Sequence, residues 1–315
     1  MDGVLVIDKP PRLTSHDVVA AARRALGETR VGHTGTLDPL ATGVLPLAIG
    51  RATRLVRFLT ASDKDYVADV RFGITTDSYD MTGAETGRTD VVPSRDAVLA
   101  AIRSLTGDYL QPPPPFSAKK VGGRRAYQLA RQQQPVALAP APVRVARADL
   151  IECSGACARV ALTCSAGFYV RSFAHALGEI AGTGACLAAL RRTRSGDFSL
   201  DAAISMEALQ DAPRAGASLV KLDDLLARFP AVTLTDRGRM YVSHGRELGP
   251  EDCAGDPQYP YAAGPPDPPY VLRDNGGPGP MDPAWVRLFD RTGALVALAT
   301  LGHAPGSLHP SVVLI

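Results

Sequence analysis

Apolar positions along the chain fall into short runs with two different periods. Residues 4–7 are a continuous apolar run closed by Lys9, Pro10 and Pro11, which predicts a short buried strand. Thr14 and Asp17 then have capping-box spacing, Val18, Ala22 and Leu26 repeat on one helical face, and Gly27 is placed to stop the helix. Residues 66–72 alternate, with Tyr66, Ala68, Val70 and Phe72 on one side, as a strand does. A helix capped by Ser94 follows over 94–105, then strands over 143–151 and 157–164. The segment SAGFYVR leads into another helix, with Phe173, Leu177 and Ile180 expected on one face. Near the end, 285–289 and 294–300 flank Asp290, Arg291, Thr292 and Gly293, a hairpin signal. Residues 32–50, GHTGTLDPLATGVLPLAIG, are too rich in Gly and Pro for one regular element. Strands and helices thus interleave along the chain.

The chain has 315 residues, enough for one large and one small domain. The character changes after Leu226, and the boundary is placed near 228, giving domains over 1–228 and 229–315. Four prolines at 112–115 open a stretch that closes on Pro135, Pro140 and Pro142, an excursion from the core over about 112–142. Residues 249–284 hold 10 Pro and 6 Gly in 36 positions, which reads as an insert in the second domain.

Hydrophobic residues make up 45% and charged residues 21%, so a packed core is expected and disorder is not. The first residues lack a basic lead-in and no run reaches the roughly 18 apolar residues of a membrane span, so a cytoplasmic protein with no membrane partner is expected. Five cysteines at 153, 157, 164, 186 and 253 match neither a disulfide framework nor paired zinc spacing, and are read as reduced and buried. Net charge is only +2, but its distribution is uneven. From Ser117 to Ala148 there are seven Lys or Arg residues, Lys119, Lys120, Arg124 and Arg125 among them, and no acid. Arg191, Arg192 and Arg194 form a second cluster. Acid-free stretches suit phosphate contacts, though a solvated face gives the same composition.

For chemistry, Asp38 stands out. Pro39 disfavours the helical region for Asp38, and Gly35 and Gly43 permit close approach of a ligand to the backbone, so the carboxylate can be presented outward. On spacing alone an ordinary Asp-Pro turn fits as well. No phosphate-binding GxxxxGK[ST] loop is present.

GVLVIDKP, GHTGTLDPLATGVLP, SDKDYV, FSAKK with GGRRAYQLAR, GFYVRSFAHALG and GTGACLAALRRTRSG occur in the order and spacing of the bacterial tRNA pseudouridine-55 synthases, which residues 3 to 200 therefore resemble. The resemblance implies an α+β protein of the pseudouridine synthase fold, with a mixed, largely antiparallel central sheet flanked by helices. It implies that Asp38 is the catalytic aspartate, that Tyr66 stacks on the target uracil, that Arg171 pairs with the carboxylate and that Leu190 packs in the pocket. It matches His33 to a histidine that splays the T-loop, and Lys9 with Pro10 to the first family segment, with Lys9 expected among the substrate-binding residues. The basic stretch would contact RNA phosphates. Phe116 departs from the family's usual tyrosine, and Ala176 from a common acid. From residue 229 on, AVTLTDRGRMYVSHGREL and the late hairpin resemble the family's small β-rich PUA-type RNA-binding domain. The reaction so implied is an isomerisation needing no cofactor and no metal, on the T-arm of tRNA, by a monomer without guide RNA or protein partner. A non-catalytic RNA-binding protein and a guide-RNA-dependent synthase are the competing readings. The Asp38, Tyr66 and Arg171 set speaks against the first, and the bacterial spelling of the motifs against the second.

Overall fold

The computed structural model describes residues 1–117, 138–254 and 285–315, with the backbone of 120–121 and 124–125. The chain starts with strand β1 (Gly3–Lys9), whose apolar run is buried throughout, as a strand covered on both faces requires. Helix α1 (Ser15–Leu26) follows, with the Thr14–Asp17 capping box formed and Gly27 in the left-handed conformation at its end. The Gly- and Pro-rich segment resolves into strand β2 (Val31–His33), a loop, and strand β3 (Thr42–Ile49). Pro46 is tolerated inside β3 because the outer edge of that strand is shared by two short partners. Residues 47–49 pair with β2, Thr42 and Gly43 pair elsewhere, and Pro46 falls between, its carbonyl accepting from Thr34 N–H at 3.0 Å.

Strand β4 (Lys64–Phe72) alternates as its sequence predicts. Helix α2 (Arg95–Ser104) is capped by Ser94, and strand β5 (Gly107–Gln111) follows it. The long hairpin of β6 (Ala141–Ser154) and β7 (Cys157–Cys164) leads into helix α3 (Val170–Ile180) and strand β8 (Ala185–Ser195). Among the described residues the largest sheet has eleven strands, with the order β1-β3-β8-β4-β7-β6-β5 along its main path. Its pairs are antiparallel except β3 with β8 and β1 with residues 203–204, a mixed sheet with helices packed on it. Val18 and Val19 of α1, Val98 and Ile102 of α2, and Phe173 and Leu177 of α3 share one apolar cluster with it. The buried stripe of α3 ends at Leu177. Ile180, expected on it, is the last helical residue and is 51% exposed.

A second sheet takes β9 (Ala231–Thr233), β10 (Val286–Phe289), β11 (Leu295–Leu301) and β12 (Leu308–Val313) in sequence order. The β10–β11 turn is tied by Asp290, whose Oδ1 accepts from the backbone N–H groups of Thr292 and Ala294. Leu295, Leu298 and Leu314 join Val4, Val6, Val44 and Phe58 in an apolar cluster common to both sheets. Residues 255–284, most of the Pro/Gly-rich insert, lie outside the described residues.

All five cysteines are free thiols. Cys164, Cys186 and Cys253 are buried as expected, but Cys157, at the outward-facing start of β7, is exposed and Cys153 is half-buried. Among the described residues no helix is long and apolar enough to cross a membrane.

Candidate active site

Asp38 lies on the loop between β2 and β3, and that loop is held from several sides. Ser15 Oγ, at the start of α1, donates to Leu37 O at 3.0 Å and accepts from Leu37 N–H at 2.8 Å. Arg12 N–H donates to Pro39 O at 2.7 Å, and Ala41 N–H to Asp38 O at 3.0 Å. Behind the loop, Gly43 adopts φ 97° where a Cβ would stand 2.2 Å from Arg192 O, so only glycine lets β3 approach β8 here. Leu37 is buried and anchors the turn, while the Asp38 side chain keeps 37% of its exposure. A fixed backbone thus offers a carboxylate to the outside.

Arg171, in the first turn of α3, grips that carboxylate with a planar fork. Its Nε donates to Asp38 Oδ2 at 2.8 Å and its Nη2 to Oδ1 at 3.2 Å. The remaining donors go to Ser78 O at 3.0 Å and Phe116 O at 2.9 Å. The hydroxyl that Phe116 lacks is therefore not what this residue contributes, because its main chain makes the contact. Sequence reading missed Asp80, a buried acid whose Oδ2 lies 3.6 Å from Arg171 Nε. Its other oxygen accepts from Ser78 Oγ and Thr82 N–H, both at 2.9 Å. The signal available was the run Thr76–Gly83, TTDSYDMTG from Thr75, whose short polar residues tie one another into a turn. Arg171 is thus flanked by two carboxylates, one buried and one presented to the outside.

Tyr66 and Leu190 face the same side of the sheet, since Tyr66 pairs with Arg192 and the next outward-alternate pair is Ala68 with Leu190. Both are 8% exposed. Burial pushes the Tyr66 phenol above its ordinary value, and the nearby Arg192 guanidinium opposes that rise. Arg192, 1% exposed, was expected in a phosphate-binding cluster and is instead internal. Its Nε donates to Val44 O at 2.7 Å and its Nη2 to Gly35 O at 3.1 Å. The cluster is committed throughout, for Arg191 forms a fork on Asp8 and Arg194 one on Asp65. Asp8 of β1 and Asp65 of β4 take up the charges of Arg191 and Arg194, and main-chain carbonyls take the Arg192 donors.

Lys9, expected to meet substrate, is completely buried. Its ammonium donates to Pro10 O at 2.9 Å and Leu13 O at 2.7 Å, so it fastens the turn after β1. Burial lowers it to about 8, with the Asp38 charge acting in the opposite sense. His33 ends β2, half-buried, and its Nδ1 accepts from Gly35 N–H at 3.4 Å. Burial, Arg192 and His16 together hold it below the ordinary histidine value, in the neutral form that this acceptor role requires. Lys119 and the side chains of Lys120, Arg124 and Arg125 lie outside the described residues. Asp38 is joined to Arg171, which Asp80 flanks, the Asp38 and Arg192 charges both act on Tyr66, and Leu190 shares the Tyr66 face of the sheet. No group of three or more His, Cys, Asp or Glu among the described residues is arranged to hold a metal.

A family model for the TruB family pseudouridylate synthase N-terminal domain matches residues 23–170, and one for the tRNA pseudouridylate synthase B C-terminal domain matches 171–228. The chain is 41% identical to the tRNA pseudouridine synthase B of Solibacter usitatus over 318 residues, covering 100% of both. It is 43% identical to the protein of that name from Mycobacterium sp. (strain KMS), covering 84% of this chain and 89% of the other. Among solved structures, a Cbf5–Nop10–Gar1 complex matches with a TM-score of 0.71 and 25% identity, over 99% of this chain and 85% of that one. An archaeal box H/ACA Nop10–Cbf5 complex matches with a TM-score of 0.69 and 24% identity over 99% and 86%, which concerns the fold.

Proposed function

Because this chain belongs to the TruB family of pseudouridylate synthases, we propose that it converts one uridine in the T-loop of tRNA to pseudouridine, with Asp38 as the catalytic carboxylate. The observation that carries this reading is the partly exposed Asp38 carboxylate, forked by a buried Arg171 next to the Tyr66 and Leu190 face of the sheet.

The conversion breaks the bond from N1 of uracil to C1′, turns the base over and joins C5 to C1′. Nothing is oxidised and nothing is hydrolysed overall. Separating base from sugar calls for an anion beside the reacting nucleoside, and Asp38 supplies it. Arg171 fixes the plane of that carboxylate, and its contacts to Ser78 O, Phe116 O and Asp80 keep the guanidinium from following the substrate. The rejoined base must lose its C5 proton. Tyr66, whose phenol burial holds in the neutral form with the Arg192 guanidinium beside it, is the residue to which the family likeness gives a part in moving that proton. The target uridine must leave its stack first, at a cost of a few kcal/mol. Stacking on the Tyr66 ring recovers roughly 1 to 3 kcal/mol of it.

RNA is positioned, in this reading, by His33 at the end of β2, by the basic stretch carrying Lys119, Lys120, Arg124 and Arg125, and by residues 229–315 acting as a PUA-like appendage to the catalytic domain of 1–228. The four-stranded sheet of β9 to β12 supports the last point. The protein acts alone, as a monomer. The test is purified protein on an unmodified T-arm stem-loop transcript with no other RNA or protein present. Pseudouridine at a single T-loop uridine is the expected product. Product appearing only when a guide RNA or a partner protein is added overturns the stand-alone reading, and no product under any of these conditions overturns the catalytic one.

A further inference from the structure

Three non-glycine residues among those described adopt a positive φ: Arg12 at 72°, Tyr79 at 64° and Leu226 at 58°. Such a backbone is unfavourable for an L residue and persists where surrounding structure offsets it. For two of the three the offset is visible. The Tyr79 ring stacks on His175 with centroids 3.9 Å apart and planes 4° apart, and Leu226 is 1% exposed inside the apolar cluster common to the two sheets. Arg12 has neither. Its side chain is exposed and makes no ion pair or hydrogen bond among the described residues.

Pro11 and Arg12 form the turn that ends β1, and a positive φ directly after proline is what a type II turn requires at a position where glycine is favoured. The turn is fixed from within by the Lys9 ammonium on Pro10 O and Leu13 O, and from outside by Arg12 N–H on Pro39 O at 2.7 Å. All of these bonds use the main chain or Lys9. Glycine at position 12 would make the same bond to Pro39 without a strained Cβ, so the turn does not account for an arginine. What distinguishes this arginine is where it stands. Its backbone is one hydrogen bond from the residue that follows Asp38, whereas the guanidinium groups of Arg171, Arg191, Arg192 and Arg194 are committed to internal acceptors.

We propose that Arg12 binds a phosphate of the RNA strand that carries the target uridine. The proposal rests on the RNA-modifying reading above. A uridine whose base is brought to Asp38 carries its own and adjoining phosphates to the rim of the Asp38 loop, and a planar guanidinium with no donor committed among the described residues matches a phosphate in bidentate fashion. Phosphate contacts of this kind set register and orientation and carry no sequence information.

The test compares the parent with Arg12→Gly, Arg12→Ala and Arg12→Lys, by thermal melt and by filter binding to a prefolded T-arm stem-loop over a salt series. Arg12→Gly and Arg12→Ala are expected to bind about threefold to tenfold more weakly near 0.1 M salt, with a log–log salt slope shallower by about 0.7 to 0.9. Arg12→Lys keeps the slope and loses part of the affinity. Arg12→Gly melts at or above the parent temperature because its backbone strain is gone, which separates loss of binding from loss of fold. An Arg12→Gly protein that binds with the parent's affinity and slope overturns the proposal, as does a loss of affinity at the parent's slope, which would assign the effect to loop shape. A parent that fails to bind the stem-loop overturns the RNA reading itself, and does so in the unmutated chain, where a failure of the Arg12 assignment alone leaves binding intact.

Discussion

Replacing Arg171 with lysine separates charge from geometry at the centre of the site. The guanidinium makes four hydrogen bonds, two to Asp38 and one each to Ser78 O and Phe116 O, and lies 3.6 Å from Asp80. A lysine ammonium keeps the positive charge but donates from a single point, so it cannot span both Asp38 oxygens and reach two carbonyls on different segments. About two of the four bonds are lost. Charge-assisted bonds contribute about 1.5 to 3 kcal/mol each, so roughly 3 kcal/mol of carboxylate positioning disappears, after part of the loss is regained by water at the exposed side. If that positioning is expressed in the transition state, the single-turnover rate falls by about a hundredfold. RNA affinity should change by less than a few-fold, because the residue is 7% exposed and turned inward. The unfolding free energy should fall by only about 1 to 2 kcal/mol, since Asp80 keeps a cationic neighbour. The assay is pseudouridine formation with enzyme in excess over stem-loop, beside a urea titration. A rate within threefold of the parent would show that charge alone suffices and that the fork is incidental.

Three further outcomes follow from the same contacts. Asp80→Asn keeps acceptors for Ser78 and Thr82 but removes the buried charge behind Arg171, so single-turnover conversion should drop at least tenfold while stem-loop affinity is retained; equal conversion by variant and parent would reduce Asp80 to a turn-former. Arg192→Met leaves Val44 O and Gly35 O without their donor while also removing a buried charge, a net destabilisation of about 2 kcal/mol, and an unchanged urea midpoint would contradict it. For His33 the folded state holds the ring below the unfolded value of about 6.5, so the unfolded chain binds the extra proton first and stability is lost as pH falls from 7 through that interval. His33→Gln should flatten this limb of the stability profile, and an identical acid limb in both proteins would show that the histidine is not held neutral.

The local signals in the sequence were strong where backbone chemistry set them. The Thr14–Asp17 box, the Gly27 stop, the Ser94 cap and the Asp290 hairpin each depend on one or two residues acting on their own neighbours, and each is formed in the structure. What the sequence did not reveal were partnerships across distance. Arg192 looks like part of a basic run, and only its register opposite Tyr66 and its approach to β3 make it an internal cation. Lys9 simply closes a strand in the sequence, and only the turn that follows brings the Pro10 and Leu13 carbonyls onto its ammonium. Asp80 is separated from Arg171 by 91 positions, so no spacing rule links them. Ile180 was misplaced for a simpler reason: periodicity gives a helix face but not the point where the neighbouring sheet stops covering it.

The central claim is that the Asp38 carboxylate is held for chemistry, and Asp38→Asn tests it most directly. Asparagine keeps the size of the side chain and forms turns as well as aspartate does, so the Ser15, Arg12 and Ala41 bonds that shape the loop should survive. Pseudouridine at the T-loop uridine is read by chemical labelling and primer extension, with stem-loop binding and a thermal melt measured on the same preparation. The account predicts a folded protein that binds RNA within a few-fold of the parent and forms no detectable pseudouridine. Substantial turnover by Asp38→Asn would contradict it.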